Sequence, residues 1–334
     1  MPKMAKKAVR KNAKNPEENA ISRLANKPNF PSFKPNTFPS RLGRDALLGA
    51  GLAADSSPDR FEVIIDFLCS SGEPIPQLEY SVMAEAAQIE LLPAAKVAQE
   101  TAVQQATNGI CYATYGETNL VTADLEQILQ AVPLSMAAAL SNHAYYFVPL
   151  TLGETEEPMV APSYTVDLGD RAICHRNIKF GNADCVFIST RLMQDRFALA
   201  FEFFINAGHQ FVEAAGVPKS FADLIWSQAE ADVRGETSQD AYENRRRALD
   251  RRRTDGSESP VDEKARNSFL EAAFSDAIAV YLLALTLDFD YSDLREREYP
   301  LLAAPALAER LRHVAGLFPP NPGYDFQILY RRRG

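Results

Sequence analysis

The chain has 334 residues, of which 46% are hydrophobic, so it can bury a real core as one large domain or two ordinary ones. Its apolar runs, near Phe197 to Ile205 and Ala277 to Leu287, fall short of the roughly 20 residues that a bilayer crossing needs, so no membrane span is expected. The start, Met1-Pro-Lys-Met-Ala-Lys-Lys, is basic but lacks the apolar stretch and cleavage site of a signal peptide, which points to a cytoplasmic protein.

The net charge of −9 is unevenly spread. Residues 1–44 carry eleven Lys or Arg against two Glu, about +9, which leaves about −18 on the rest. An acidic body argues against a broad nucleic-acid surface; the basic tail either stays solvated or touches nucleic acid, an anionic headgroup or an acidic partner. Cys69, Cys111, Cys174 and Cys185 are too scattered for a Cys-x-x-Cys pairing and read as reduced thiols in or near the core.

In chain order, residues 1–58 are rich in Lys, Asn, Pro and Ser and read as a disordered basic arm, with Phe30, Phe33 and Phe38 available to pin it to the body or to a partner. Residues 59–143 read as a helical region: a short element after Arg60, helices over 80–92 and 93–107, another over 122–130 opened by Thr122, and one over 134–142. From Ala144 to Thr190 the pattern changes to strands over 145–152, 163–166, 172–179 and 185–189, a small mixed sheet. An apolar helix follows from Arg196 and stops near Gly216-Val-Pro218, and an amphipathic helix spans 219–234. The charged segment 236–262, with Arg245-Arg-Arg and Arg251-Arg-Arg, reads as a flexible excursion; its acidic neighbours and lack of interleaved aromatics argue against nucleic acid. A second long apolar helix over 263–287 is expected to pack on the first, followed by a helix over 304–318 and a short strand over 324–330.

The first apolar helix carries the candidate site. Glu202, Asn206, His209 and Glu213 recur at helical spacing and form one polar stripe on an otherwise apolar cylinder. A charged Glu there must be exposed, protonated or partnered; His209, Arg176 and Arg266 are the partners considered. A groove between the two long helices, lined by Asn206, His209 and Asp276, is the binding surface expected.

The order of a sheet, the helix Leu199-Ala-Phe-Glu-Phe-Phe-Ile-Asn-Ala-Gly-His209 and a later helix with Glu271-Ala-Ala-Phe-Ser-Asp276 resembles the zincin metallopeptidases. Within them it is most similar to the anthrax lethal-factor-like and ImmA/IrrE-like branch, over about residues 172–285. In that family the first helix holds His-Glu-x-x-His, whose two imidazoles bind zinc while the Glu activates the bound water, and the second helix supplies a third ligand such as Glu. Here Glu202 stands at the Glu and Glu271 on the second helix, but Phe201 and Ile205 occupy the His positions and cannot bind a metal.

The resemblance therefore implies a mainly helical α+β fold with a zincin-like half over 144–334, and a pseudoenzyme without cofactor that binds a protein partner. Glu202 and Glu271 would be vestigial catalytic residues. Two other classes stay open. One is a zinc-dependent hydrolase with Glu202 as general base and a rearranged site using His209 and Glu271. The other is a structural component of an assembly anchored by the N-terminal arm. Cys174 and His175, adjacent on one strand, point to opposite faces and do not make a metal site with Cys185. No phosphate-cradling glycine motif occurs.

Overall fold

A computed structural model describes residues 91–153, 157–193, 195–250, 261–289, 291–294 and 299–328. The expected arm over 1–58, the element after Arg60 and most of the helix over 80–92 lie outside them. In chain order the elements are β1 (Leu92–Pro93), α1 (Ala94–Glu100), β2 (Gln104–Gln105), β3 (Cys111–Thr114), α2 (Thr122–Gln130), α3 (Leu134–Ala137), β4 (His143–Val148), β5 (Leu150–Leu152), β6 (Met159–Ala161), β7 (Ala172–Ile173), β8 (His175–Phe180) and β9 (Ala183–Ser189). Then come α4 (Arg196–Ala215), α5 (Lys219–Glu230), α6 (Gln239–Leu249), α7 (Glu263–Thr286) and α8 (Ala304–Leu317).

The fold is α+β, with two small sheets where one was expected. The larger runs β2-β3-β4-β9-β8; its three inner strands are parallel and its two outer ones antiparallel to their neighbours. The smaller runs β1-β6-β5-β7. Pro149 breaks the single strand expected over 145–152 and Cys174 the one over 172–179, which passes the chain from one sheet to the other. The strand expected over 163–166 is replaced by β6 and a 3₁₀ turn, Val166–Arg171. The division expected near residue 143 falls inside the larger sheet, because β3 from the preceding region pairs in parallel with β4. The helix expected over 93–107 ends at Glu100, and that over 134–142 keeps its first turn only.

Both faces of the larger sheet are covered, as parallel strands require. Tyr145, Phe147, Val186 and Ile188 face the helical layer, while Tyr146, Cys185 and Phe187 face α1 and its Val97. In the helical layer α4 lies against α7, and the two approach closely at Gly208, where an added Cβ would stand 2.7 Å from the Ser275 carbonyl oxygen. Phe211 meets Phe274 edge-on near the same level, and Phe197 meets Phe289 at the other end, so the two helices run antiparallel. Each buried Phe here contributes about 1.5–3 kcal/mol by leaving water.

Asp195 caps α4 by accepting from the Ala198 N–H, and Gly216 at φ 75° ends it. The helix α7 is long and apolar enough to cross a membrane by length and mean hydropathy, but 72% of that stretch is buried against the rest of the protein, as befits a core helix. Part of the expected excursion 236–262 is ordered: α6 packs along α7 and buries Ala241, Arg245 and Ala248, while residues 251–260 lie outside the described residues. The described part of the segment expected as a strand over 324–330 forms none.

Candidate functional site

Strand geometry decides which residue meets Glu202. Along β8, Ile178 and Phe180 pack on the α1 side, so His175, of opposite parity, turns to the helical layer. There its Nδ1 and the Glu202 Oε1 share a 2.6 Å hydrogen bond. Asn206, one turn on, donates from Nδ2 to the Glu202 carboxylate at 3.2 Å and to its backbone carbonyl at 2.9 Å. Glu202 and Asn206 are buried, whereas the His175 side chain keeps 20% of its surface. The carboxylate is thus partnered across the joint between β8 and α4, by none of the three residues expected. Arg266 instead stacks on Trp226 and pairs with Glu263.

The other half of the stripe behaves differently. His209 and Glu213 share the face of Glu202 but are exposed, while the neighbouring Gln210 is buried and accepts from the Tyr145 hydroxyl at 2.6 Å. Glu271 is exposed on α7. The antiparallel packing sets it level with the last turn of α4, about 15 Å along the axis from Glu202. Asp276 accepts from the Thr237 hydroxyl at 2.8 Å. Of the groove expected from Asn206, His209 and Asp276, Asn206 is buried on Glu202, His209 is exposed, and Asp276 is held to Thr237 in the loop before α6.

Zinc is the metal that the resemblance implies, and the donor set does not fit it. Phe201 and Ile205 are half-buried in the helical layer, and the one imidazole at hand is hydrogen-bonded to the one carboxylate. Among the described residues no three His, Cys, Asp or Glu side chains converge. Nor is a thiol nucleophile available beside the pair. Burial, and secondarily the Glu202 carboxylate, push the Cys174 thiol up to about 12, so it stays protonated at neutral pH.

A second polar centre was not anticipated. Glu236, fully buried, accepts from Arg310 Nη1 at 2.8 Å and from Arg245 Nη1 at 3.2 Å. Arg310 also donates from Nε to Gln228, and Arg245 to the carbonyls of Val233, Gly235 and Ala229. The loop carrying Glu236 is clamped to the segment before α8 by Glu236 N–H to Pro300 O and Leu302 N–H to Glu236 O. Gly235, at φ 80°, makes this possible, since a Cβ there would sit 2.1 Å from the Leu301 carbonyl oxygen. A Gly-Glu pair just before a helix and Arg residues nine and more positions away gave no periodic signal to read.

No family model, curated protein or solved structure matches the chain.

Proposed function

We propose that the chain is a non-catalytic scaffold, metallopeptidase-like in its order of elements, that binds an extended acidic segment of a partner protein along β8. The observation that carries the non-catalytic part is the commitment of Glu202: its carboxylate bridges His175 and Asn206 inside the protein, where a water-activating base would need to face a substrate. The sequence of sheet, Glu202-bearing helix and second packed helix supports the likeness to zincins at the level of architecture.

The binding surface follows from the sheet. Among the described residues β8 pairs with β9 alone, leaving its outer backbone groups as a template for an added strand. Asn177 and Lys179 are exposed there and Arg176 is half-exposed, so two cations, of which Lys179 lies 3.5 Å from Asp184 on β9, mark this edge of an otherwise acidic body. Displayed peptides selected on the purified full chain should be extended and acidic. Their binding should be lost in Arg176→Glu/Lys179→Glu and kept in Glu202→Gln. Stoichiometric zinc with peptide hydrolysis abolished by Glu202→Gln would overturn the proposal in favour of the hydrolase.

A further inference from the structure

We infer that the cleft between the α5–α6 loop and Pro300 binds a small phosphorylated molecule. It is an open cleft of about 440 Å³, a volume within the roughly 300–1,000 Å³ of small-ligand sites. Its lining holds three arginines, the buried Arg245 and the exposed Arg234 and Arg246, against two exposed aspartates, Asp232 and Asp250.

The charge count beneath the cleft is unequal. Two guanidinium groups, those of Arg245 and Arg310, converge on the single carboxylate of Glu236, and all three side chains are more than nine-tenths buried. Asp232 approaches Arg245 at 3.7 Å, but its side chain is fully exposed and water screens it. A buried positive charge left over in this way favours an anion in the adjoining space. Arg234 and Arg246 are exposed, and neither forms an ion pair with a carboxylate among the described residues, so their donors are available on the side from which a ligand enters. The two exposed guanidinium forks of Arg234 and Arg246, above the charge of Arg245 whose own donors are taken by Glu236 and backbone carbonyls, suit a phosphate dianion, with its several acceptor oxygens, better than a single carboxylate.

The remaining walls are apolar and would take the organic part. Val233, Leu249 and Pro300 line the cleft with Tyr242, whose ring is held by stacking on Tyr299 at 6.1 Å and 28°. This site is independent of the β8 edge and of the Glu202 joint.

The test is calorimetry and thermal shift on the full chain with three probes: inorganic phosphate, a sugar phosphate and a nucleoside monophosphate. At least one organic phosphate should bind more tightly than inorganic phosphate. Arg234→Ala/Arg246→Ala, at exposed positions that leave the Glu236 clamp whole, should weaken it about tenfold or more. Asp232→Asn/Asp250→Asn should strengthen it. A preference for the nucleotide that vanishes in Tyr242→Leu would assign the aromatic wall to a base; equal binding of both organic phosphates would assign the site to the phosphate and its apolar neighbours. No binding by any probe, or binding unchanged in Arg234→Ala/Arg246→Ala, would overturn the inference.

Discussion

Glu202 and Glu236 are both buried carboxylates, yet they are held in opposite ways. Glu236 sits between two buried guanidiniums in a fully ionic clamp that ties α6, α8 and the loop between α5 and α6 together. Glu202 meets one partly exposed imidazole and one amide, at the seam between the sheet and the central helix. The first arrangement is costly to break because removing the anion strands two cations; the second loses hydrogen bonds but leaves neutral or solvated partners. Buried acid alone is therefore no sign of chemistry in this fold, and its surroundings say which role it plays.

The contrast predicts a graded series of losses. Glu236→Ala should be the most damaging, destabilising the chain by about 3–5 kcal/mol in urea unfolding, because Arg245 and Arg310 are left buried without a counter-ion. Arg245→Met/Arg310→Met/Glu236→Leu, which removes both cations with the anion, should recover much of that loss and so separate the cost of stranded charge from the worth of the cluster. Glu202→Ala should cost less, about 1–3 kcal/mol, since the His175 side chain retains contact with water.

Acid sensitivity should be smaller and traceable to a third group. His143 opens β4 with its Nδ1 buried and unpaired, and desolvation holds its pKa below the ordinary 6.5, with Lys179 adding to the lowering and Asp184, Glu213 and the Leu140 backbone opposing it. The unfolded chain takes up that proton more readily than the folded one. Stability is thus complete above about pH 6.5, falls as the pH drops below it, and levels off once the folded form is also protonated. A urea series from pH 8 to pH 5 should show this slope in the parent and a shallower one in His143→Gln. Smallest of all, His209→Ala and Glu213→Ala should each stay within about 0.5 kcal/mol of the parent, being exposed positions.

The long helices were legible because Phe203, Phe204, Phe211 and their counterparts on α7 repeat at helical spacing and end at recognisable caps. The strand β3 was not, since Cys111-Tyr-Ala-Thr114 is short and, as an inner parallel strand, buried on both faces, so it shows no alternation. The helix α6 was hidden by its charge: it packs through two alanines and an arginine whose value depends on a carboxylate in the preceding loop. For the candidate site, the common face of Glu202, Asn206, His209 and Glu213 could be read from spacing. What covers that face could not, because His175 reaches Glu202 from a strand of another layer and its pairing depends on which way β8 places its side chains.

The double-mutant cycle of His175→Ala and Glu202→Ala, followed by urea unfolding at pH 7, tests most directly whether Glu202 is a joint between sheet and helix. A joint requires the two losses to be strongly non-additive, with a coupling of about 1 kcal/mol or more. Additive losses, with Glu202→Ala as stable as the parent, would contradict it and return this carboxylate to the list of groups free to do chemistry.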